Sequence, residues 1–113
     1  MSDRFKFRVW NEKERRYVEL AFFVSSEGTL YIHFPLYMIA YSNPYTIEQC
    51  TGKEDKNKRL MYGGDLVRCA NGTVAPIIWD QDRCAFLIDT KPYKTEISGL
   101  EEIVGNVHEV RHE

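Results

Sequence analysis

The segment from Tyr62 to Ile88 constrains this chain more than any other. Tyr62-Gly-Gly-Asp-Leu-Val-Arg-Cys69, Val74-Ala-Pro-Ile-Ile-Trp79 and Cys84-Ala-Phe-Leu-Ile88 are three short runs rich in apolar and β-branched residues. They are separated by Ala70-Asn-Gly-Thr73 and Asp80-Gln-Asp-Arg83, two tight turns, the first built on an Asn-Gly pair. Such a meander, opened by Gly-Asp, points to a small SH3-like partial barrel or a twisted antiparallel sheet with little helix. The expected fold class is mainly β. Pro76 cannot donate to a ladder, which predicts an edge or a bulge for its strand.

The flanking sequence extends the pattern. Arg4-Phe-Lys-Phe-Arg-Val-Trp10 alternates with period two, which puts Phe5, Phe7 and Val9 on one face of a half-buried strand and Lys6, Arg8 and Trp10 on the other. Asn11–Arg16 is a charged connector in which Glu12 and Glu14 could instead open a short helix, and Tyr17–Val24 reads as the next strand. Ser25-Ser-Glu-Gly28 has turn chemistry and Thr29–Phe34 follows as a strand, ended by Pro35. Leu36–Tyr41 fits a strand or one or two helical turns. Thr46–Cys50 reads as a brief strand and Thr51–Arg59 as a charged loop. Ser98-Gly-Leu-Glu101 has capping-box spacing for one turn of helix, and Ile103–Val110 returns to an extended pattern that closes the sheet.

Length and charge narrow the class. At 113 residues, with no repeat, linker-like shift or run able to cross a bilayer, the chain reads as one domain spanning 1–113. The first residues lack the continuous apolar stretch of a secretory signal, so a cytoplasmic setting and no membrane partner are expected. Cys50, Cys69 and Cys84 are odd in number and far apart, which fits reduced thiols packed as small apolar side chains. Fifteen basic against seventeen acidic residues give a net charge of −2, so the whole molecule is no electrostatic magnet for phosphate backbones.

Three segments share a recognisable pattern: Arg4-Phe-Lys-Phe-Arg-Val-Trp10, Gln49-Cys-Thr-Gly-Lys-Glu-Asp-Lys-Asn57 running into Met61-Tyr-Gly-Gly-Asp-Leu-Val67, and Ile103-Val-Gly-Asn-Val-His-Glu109. In order and separation they resemble the YopX family of small phage and prophage proteins. The resemblance implies a phage or prophage origin, a β-rich fold that forms homo-oligomers, and no established activity. Against that pattern Asn11 replaces Asp, Cys50 an aromatic, Lys58 the Gly after Asn57, Gly63 a Glu and His108 a Tyr. Without the glycine of the Asn-Gly turn, Asn57 carries the left-handed conformation alone or the loop changes shape.

His108-Glu-Val-Arg-His112 spells the H-E-x-x-H signature of zinc peptidases, which needs both histidines on one face of a helix with Glu109 beside the metal. The Gly- and Asn-broken, β-branched lead-in favours a final strand instead, on which residues four apart lie about 13 Å apart. The cysteines lack C-x-x-C pairing, a Mg²⁺ cluster of Asp65, Asp80, Asp82 and Asp89 is disfavoured because Asp65 after Gly64 reads more simply as a turn residue, and Gly63-Gly64 lacks the Lys-Ser/Thr of a phosphate loop. No catalytic residue, metal ligand or cofactor is therefore assigned. The favoured reading is a non-catalytic protein that binds a host or phage protein and self-associates, with Trp10, Tyr62 and Trp79 as contact candidates, although aromatics in small barrels more often serve the core or an oligomer interface. The alternative is a nucleic-acid accessory factor using Arg8 with its strand and the loop bearing Lys56 and Arg59, and a metal-dependent hydrolase built on the H-E-x-x-H segment ranks third.

Overall fold

The period-two runs and turn residues resolve into twelve strands in a computed structural model that describes residues 6–33, 38–41 and 45–109. No helix occurs among the described residues, and the antiparallel sheets curl as in a half-barrel, so the fold is mainly β as expected. The chain divides into two compact units, Arg8–Glu48 and Met1–Phe7 with Gln49–Glu113.

In the smaller unit β1 (Phe7–Asn11) turns back into β2 (Arg16–Tyr17), in register Trp10↔Tyr17. Asn11 Oδ1 accepts from the amides of Lys13 (3.0 Å) and Glu14 (3.1 Å), so the charged connector is an Asx-closed hairpin turn and not a helix. The single strand expected over Tyr17–Val24 is broken. Val18 N–H still reaches Val9 O (2.8 Å), after which the chain leaves β1 and re-enters a sheet as β3 (Phe22–Val24), paired to β4 (Leu30–His33) and through it to β5 (Met38–Tyr41). The ambiguous stretch 36–41 is thus strand in its described portion. Val9, Leu30 and Ile32 form the core, with Val18, Phe22, Val24, Tyr45 and Ile47 against them. Val9 and Trp10 are both buried, so the half-buried alternation predicted for β1 does not hold at its end.

β6 (Tyr45–Glu54) begins in this unit and continues into the larger one, well past the brief strand predicted for Thr46–Cys50. It stays paired with β7 (Leu60–Tyr62) because a bulge between Cys50 and Glu54 absorbs the extra residues, with Gly52 at φ 84°. Only residues 55–59 form the loop. Its left-handed residue is Lys58 (φ 66°) and not Asn57: the side chain standing where the resembling family has glycine takes the strained conformation.

The larger sheet has the order β11-β10-β9-β8-β12, built from β8 (Asp65–Arg68), β9 (Val74–Asp80), β10 (Ala85–Asp89), β11 (Lys94–Glu96) and β12 (Glu102–Asn106). The meander is as the sequence predicts, with Gly72 at φ 91° in the Asn-Gly turn. β9 is internal to the sheet, contrary to the edge expected from proline. Its pairing nevertheless changes hands there: Val74–Pro76 pair with β8 and Ile77–Asp80 with β10, so Pro76 stands at the junction of two ladders. Met61, Val67, Ala75, Ile77, Ile88 and Ile97 form the core. Residues 98–101 make a capping box without a helix, Glu101 accepting from the Ser98 amide (2.9 Å), the Ser98 hydroxyl (2.8 Å) and the Gly99 amide (2.8 Å). β12 stops at Asn106, short of the predicted Val110. Asn106 Oδ1 accepts from the amides of His108 (2.9 Å) and Glu109 (3.1 Å) and closes a turn.

Candidate protein-binding surface

The six predicted contact residues fall in separate places. Arg8 and Trp10 lie in the smaller unit around Tyr17. The Arg8 guanidinium stands 4.5 Å from the Tyr17 ring centre and its Nε donates to buried Glu48 (2.7 Å), which also accepts from the Tyr17 hydroxyl (3.0 Å). Trp10 is buried edge-on to Tyr17, with ring centres 4.9 Å apart, and its indole N–H donates to Glu12 (2.8 Å). Both residues are therefore engaged within their own unit and present little free surface. A hollow of about 280 Å³ nearby is lined by Val18, Leu20, Ile32 and Tyr45 among others, and its charged wall is self-paired through Arg16 and Glu14 (2.8 Å).

Lys56 and Arg59 cap a strand edge. The Lys56 amide donates to Glu101 O (2.8 Å), Arg59 donates to Ile103 O (2.9 Å), and Asp55 accepts from the amides of Ile103 (3.0 Å), Asn57 (2.9 Å) and Arg59 (2.9 Å). Burial penalises the charged form of Asp55, but those three amides, led by Ile103, and the Arg59 charge outweigh it and hold the carboxyl below its ordinary value. Their ammonium and guanidinium groups meet carboxylates as well, Lys56 at Glu102 (3.8 Å) and Arg59 at Asp55 (3.8 Å). Of the cations read from sequence as a basic face, Lys56 and Arg59 are thus locally neutralised.

Tyr62 is half-buried on β7, its amide donating to the carboxylate of Asp65 (2.8 Å). That bond confirms Asp65 as a turn residue, and Asp80 plays the same part by accepting from the amides of Asp82 (2.9 Å) and Arg83 (3.3 Å). Burial raises the pKa of Asp80, and the Arg83 and Asp82 amides and nearby Lys94 lower it by more.

Trp79 is the predicted aromatic that stands open to solvent, 43% exposed although it shares the β9 face of core residues Ala75 and Ile77. It packs edge-on to Phe86 at 5.1 Å between ring centres, and Phe86 in turn lies over Gly63, where an added Cβ would come within 3.1 Å of the ring. Glycine at this position, a glutamate in the resembling family, is what admits the phenyl ring. Trp79, Phe86 and Ile97 line a depression of about 190 Å³ with Thr51, Lys53, Cys84 and Ala85 on its walls. Phe86 and Ile97 were not singled out from sequence. The signal for Phe86 was present, since the turn Asp80–Arg83 is short enough to place it opposite Trp79.

Cys50 is buried and Cys69 half-buried, its thiol pushed up by burial and by the Glu101 charge, but Cys84 is exposed in the β9–β10 turn and does not pack as an apolar residue. His108 sits in a turn and not on the final strand, Asn106 Nδ2 donates to the Glu109 carboxylate, and His112 lies outside the described residues. Among the described residues no three His, Cys, Asp or Glu side chains are grouped to hold a metal ion.

The fold and its surfaces define a mainly β protein of curled antiparallel sheets with an aromatic depression on the larger unit. Searched against family models and against curated proteins, the sequence finds no match. Among solved structures it is similar to the crystal structure of YopX from Bacillus subtilis, with a TM-score of 0.64, 16% identity and 95% of each chain covered. The chain has the YopX fold.

Proposed function

We propose that the chain is a phage- or prophage-encoded, non-catalytic accessory protein that acts by binding another protein and associates with itself. The observation that carries this reading is Trp79, a large aromatic left 43% exposed on a core-facing row, on a molecule of net charge −2. Tryptophan in a partly formed pocket is characteristic of protein contact sites. Binding of phosphate backbones calls for uncommitted cations, whereas Lys56, Arg59, Arg68 and Lys94 each stand within 4 Å of a carboxylate. The phage assignment rests on the three sequence segments that resemble the family. Affinity capture with the full chain, followed by size-exclusion chromatography with light scattering, tests the reading. A strict monomer without a co-purifying protein overturns it, and a salt-dependent shift of labelled DNA or RNA replaces it with the nucleic-acid reading.

A further inference from the structure

The two edges of the five-stranded sheet are treated differently. At the start of β12 three backbone groups are occupied, Ile103 N–H by Asp55, Ile103 O by Arg59 and Glu101 O by the Lys56 amide. β11, the opposite edge, is exposed at all three residues, and among the described residues no chain pairs with its outer side. Its sequence is Lys94-Thr95-Glu96. We propose that β11 is the self-association surface and that its occupant is β11 of a second copy, paired antiparallel about a two-fold axis through Thr95. This rests on the self-associating reading above and assigns it a surface and a register.

Charge complementarity selects the occupant. In that register Lys94 lies opposite the partner's Glu96 and Glu96 opposite the partner's Lys94, so one strand supplies both halves of two cross-strand ion pairs. Glu96 has no ion pair of its own among the described residues. Side-chain rows give a second argument. Leu87 pairs with Glu96 and Phe86 with Trp79, which sets Ile97 level with Phe86 and makes Trp79, Phe86 and Ile97 one cross-strand row along the floor of the depression. A two-fold through Thr95 brings the partner's Tyr93 opposite Ile97, at the open end of that row. Tyr93 is 78% exposed, the most exposed large apolar side chain described, and the depression of about 190 Å³ offers its ring an aromatic floor. The same pairing accounts for the exposure of Trp79 and of Tyr93.

Sedimentation velocity on the full chain across the micromolar range tests this. The wild type should dimerise. Glu96→Lys sets two lysine pairs face to face and should weaken dimerisation on the order of tenfold or more. Tyr93→Ser, at a side chain too exposed to matter to the monomer fold, should weaken it as well. Mixing Glu96→Lys with Lys94→Glu should restore a heterodimer, because every opposed pair is again of unlike charge. Far-UV circular dichroism confirms that each variant is folded. A wild-type dimer unchanged by both Glu96→Lys and Tyr93→Ser overturns this surface while leaving self-association standing; a strictly monomeric wild type overturns both.

Discussion

Asp55 is the side chain on which the 55–59 loop and the β12 edge turn, and its replacement has a size that follows from the geometry. The carboxylate is buried. One oxygen accepts from Asn57 and Arg59 N–H, the other from Ile103 N–H at 3.0 Å across 48 residues of sequence. Asp55→Asn keeps the first oxygen but turns its two bonds from charge-assisted to neutral, a loss of about 1 kcal/mol each. It also sets an amide donor against the Ile103 donor, leaving a buried N–H unsatisfied at about 1–3 kcal/mol. The expected destabilisation is about 3 kcal/mol, and Asp55→Ala should cost more, up to about 5. Urea unfolding followed by tryptophan fluorescence should show the midpoint falling by about 1–2 M at unchanged slope. The pH response carries a definite sign. The folded carboxyl titrates below its ordinary value near 3.8, so its contribution is present above that value and is lost as the pH falls through the lower folded one. Wild-type stability should therefore drop below about pH 4 more steeply than that of Asp55→Asn. A loss under about 1 kcal/mol for Asp55→Asn, with unaltered exchange protection at Ile103, would refute the reasoning.

Lys58→Gly should stabilise by about 0.5–1 kcal/mol, because relief of the left-handed penalty at φ 66° exceeds the added backbone entropy of glycine; thermal unfolding reads the difference. Glu48→Ala should cost about 2–3 kcal/mol by leaving the Arg8 guanidinium and the Tyr17 hydroxyl without their shared acceptor, with hydrogen exchange accelerating first along β1 and β2. Gly63→Ala, whose Cβ would lie 3.1 Å from the Phe86 ring, should displace that ring and change Trp79 fluorescence while costing about 1 kcal/mol.

The meander was legible because each of its signals was local: an Asn-Gly pair, short β-branched runs and turn aspartates name their own conformations. What escaped the sequence depends on distant partners. The capping-box spacing at 98–101 formed its hydrogen bonds, yet no helix followed, since Glu102–Asn106 is taken up by pairing with β8. Pro76 is correct as a missing donor and misleading as an edge marker, because a strand can exchange neighbours halfway along. Lys53 and Glu54 read as loop residues by composition, but a bulge lets them remain exposed within a strand. Of the aromatic contact candidates, Trp79 is exposed. Trp10 proved buried, and the cations at 56 and 59 met acids and carbonyls that only the folded chain brings near.

The capped edge also sets an upper limit on growth. A sheet with two open edges can add copies at both ends and lengthen without limit, as fibrils do. Here Asp55 and Arg59 occupy the hydrogen-bonding groups of Ile103, so among the described residues β11 is the edge of this sheet left to edge-on addition. Under the pairing proposed above, two molecules joined at β11 would each face outward with the β12 edge, and assembly through this sheet would stop at a pair. One buried carboxylate thus stabilises the loop that holds it and also works as a terminator. Its loss would endanger solubility as well as stability, reopening a second edge on a chain that already carries one.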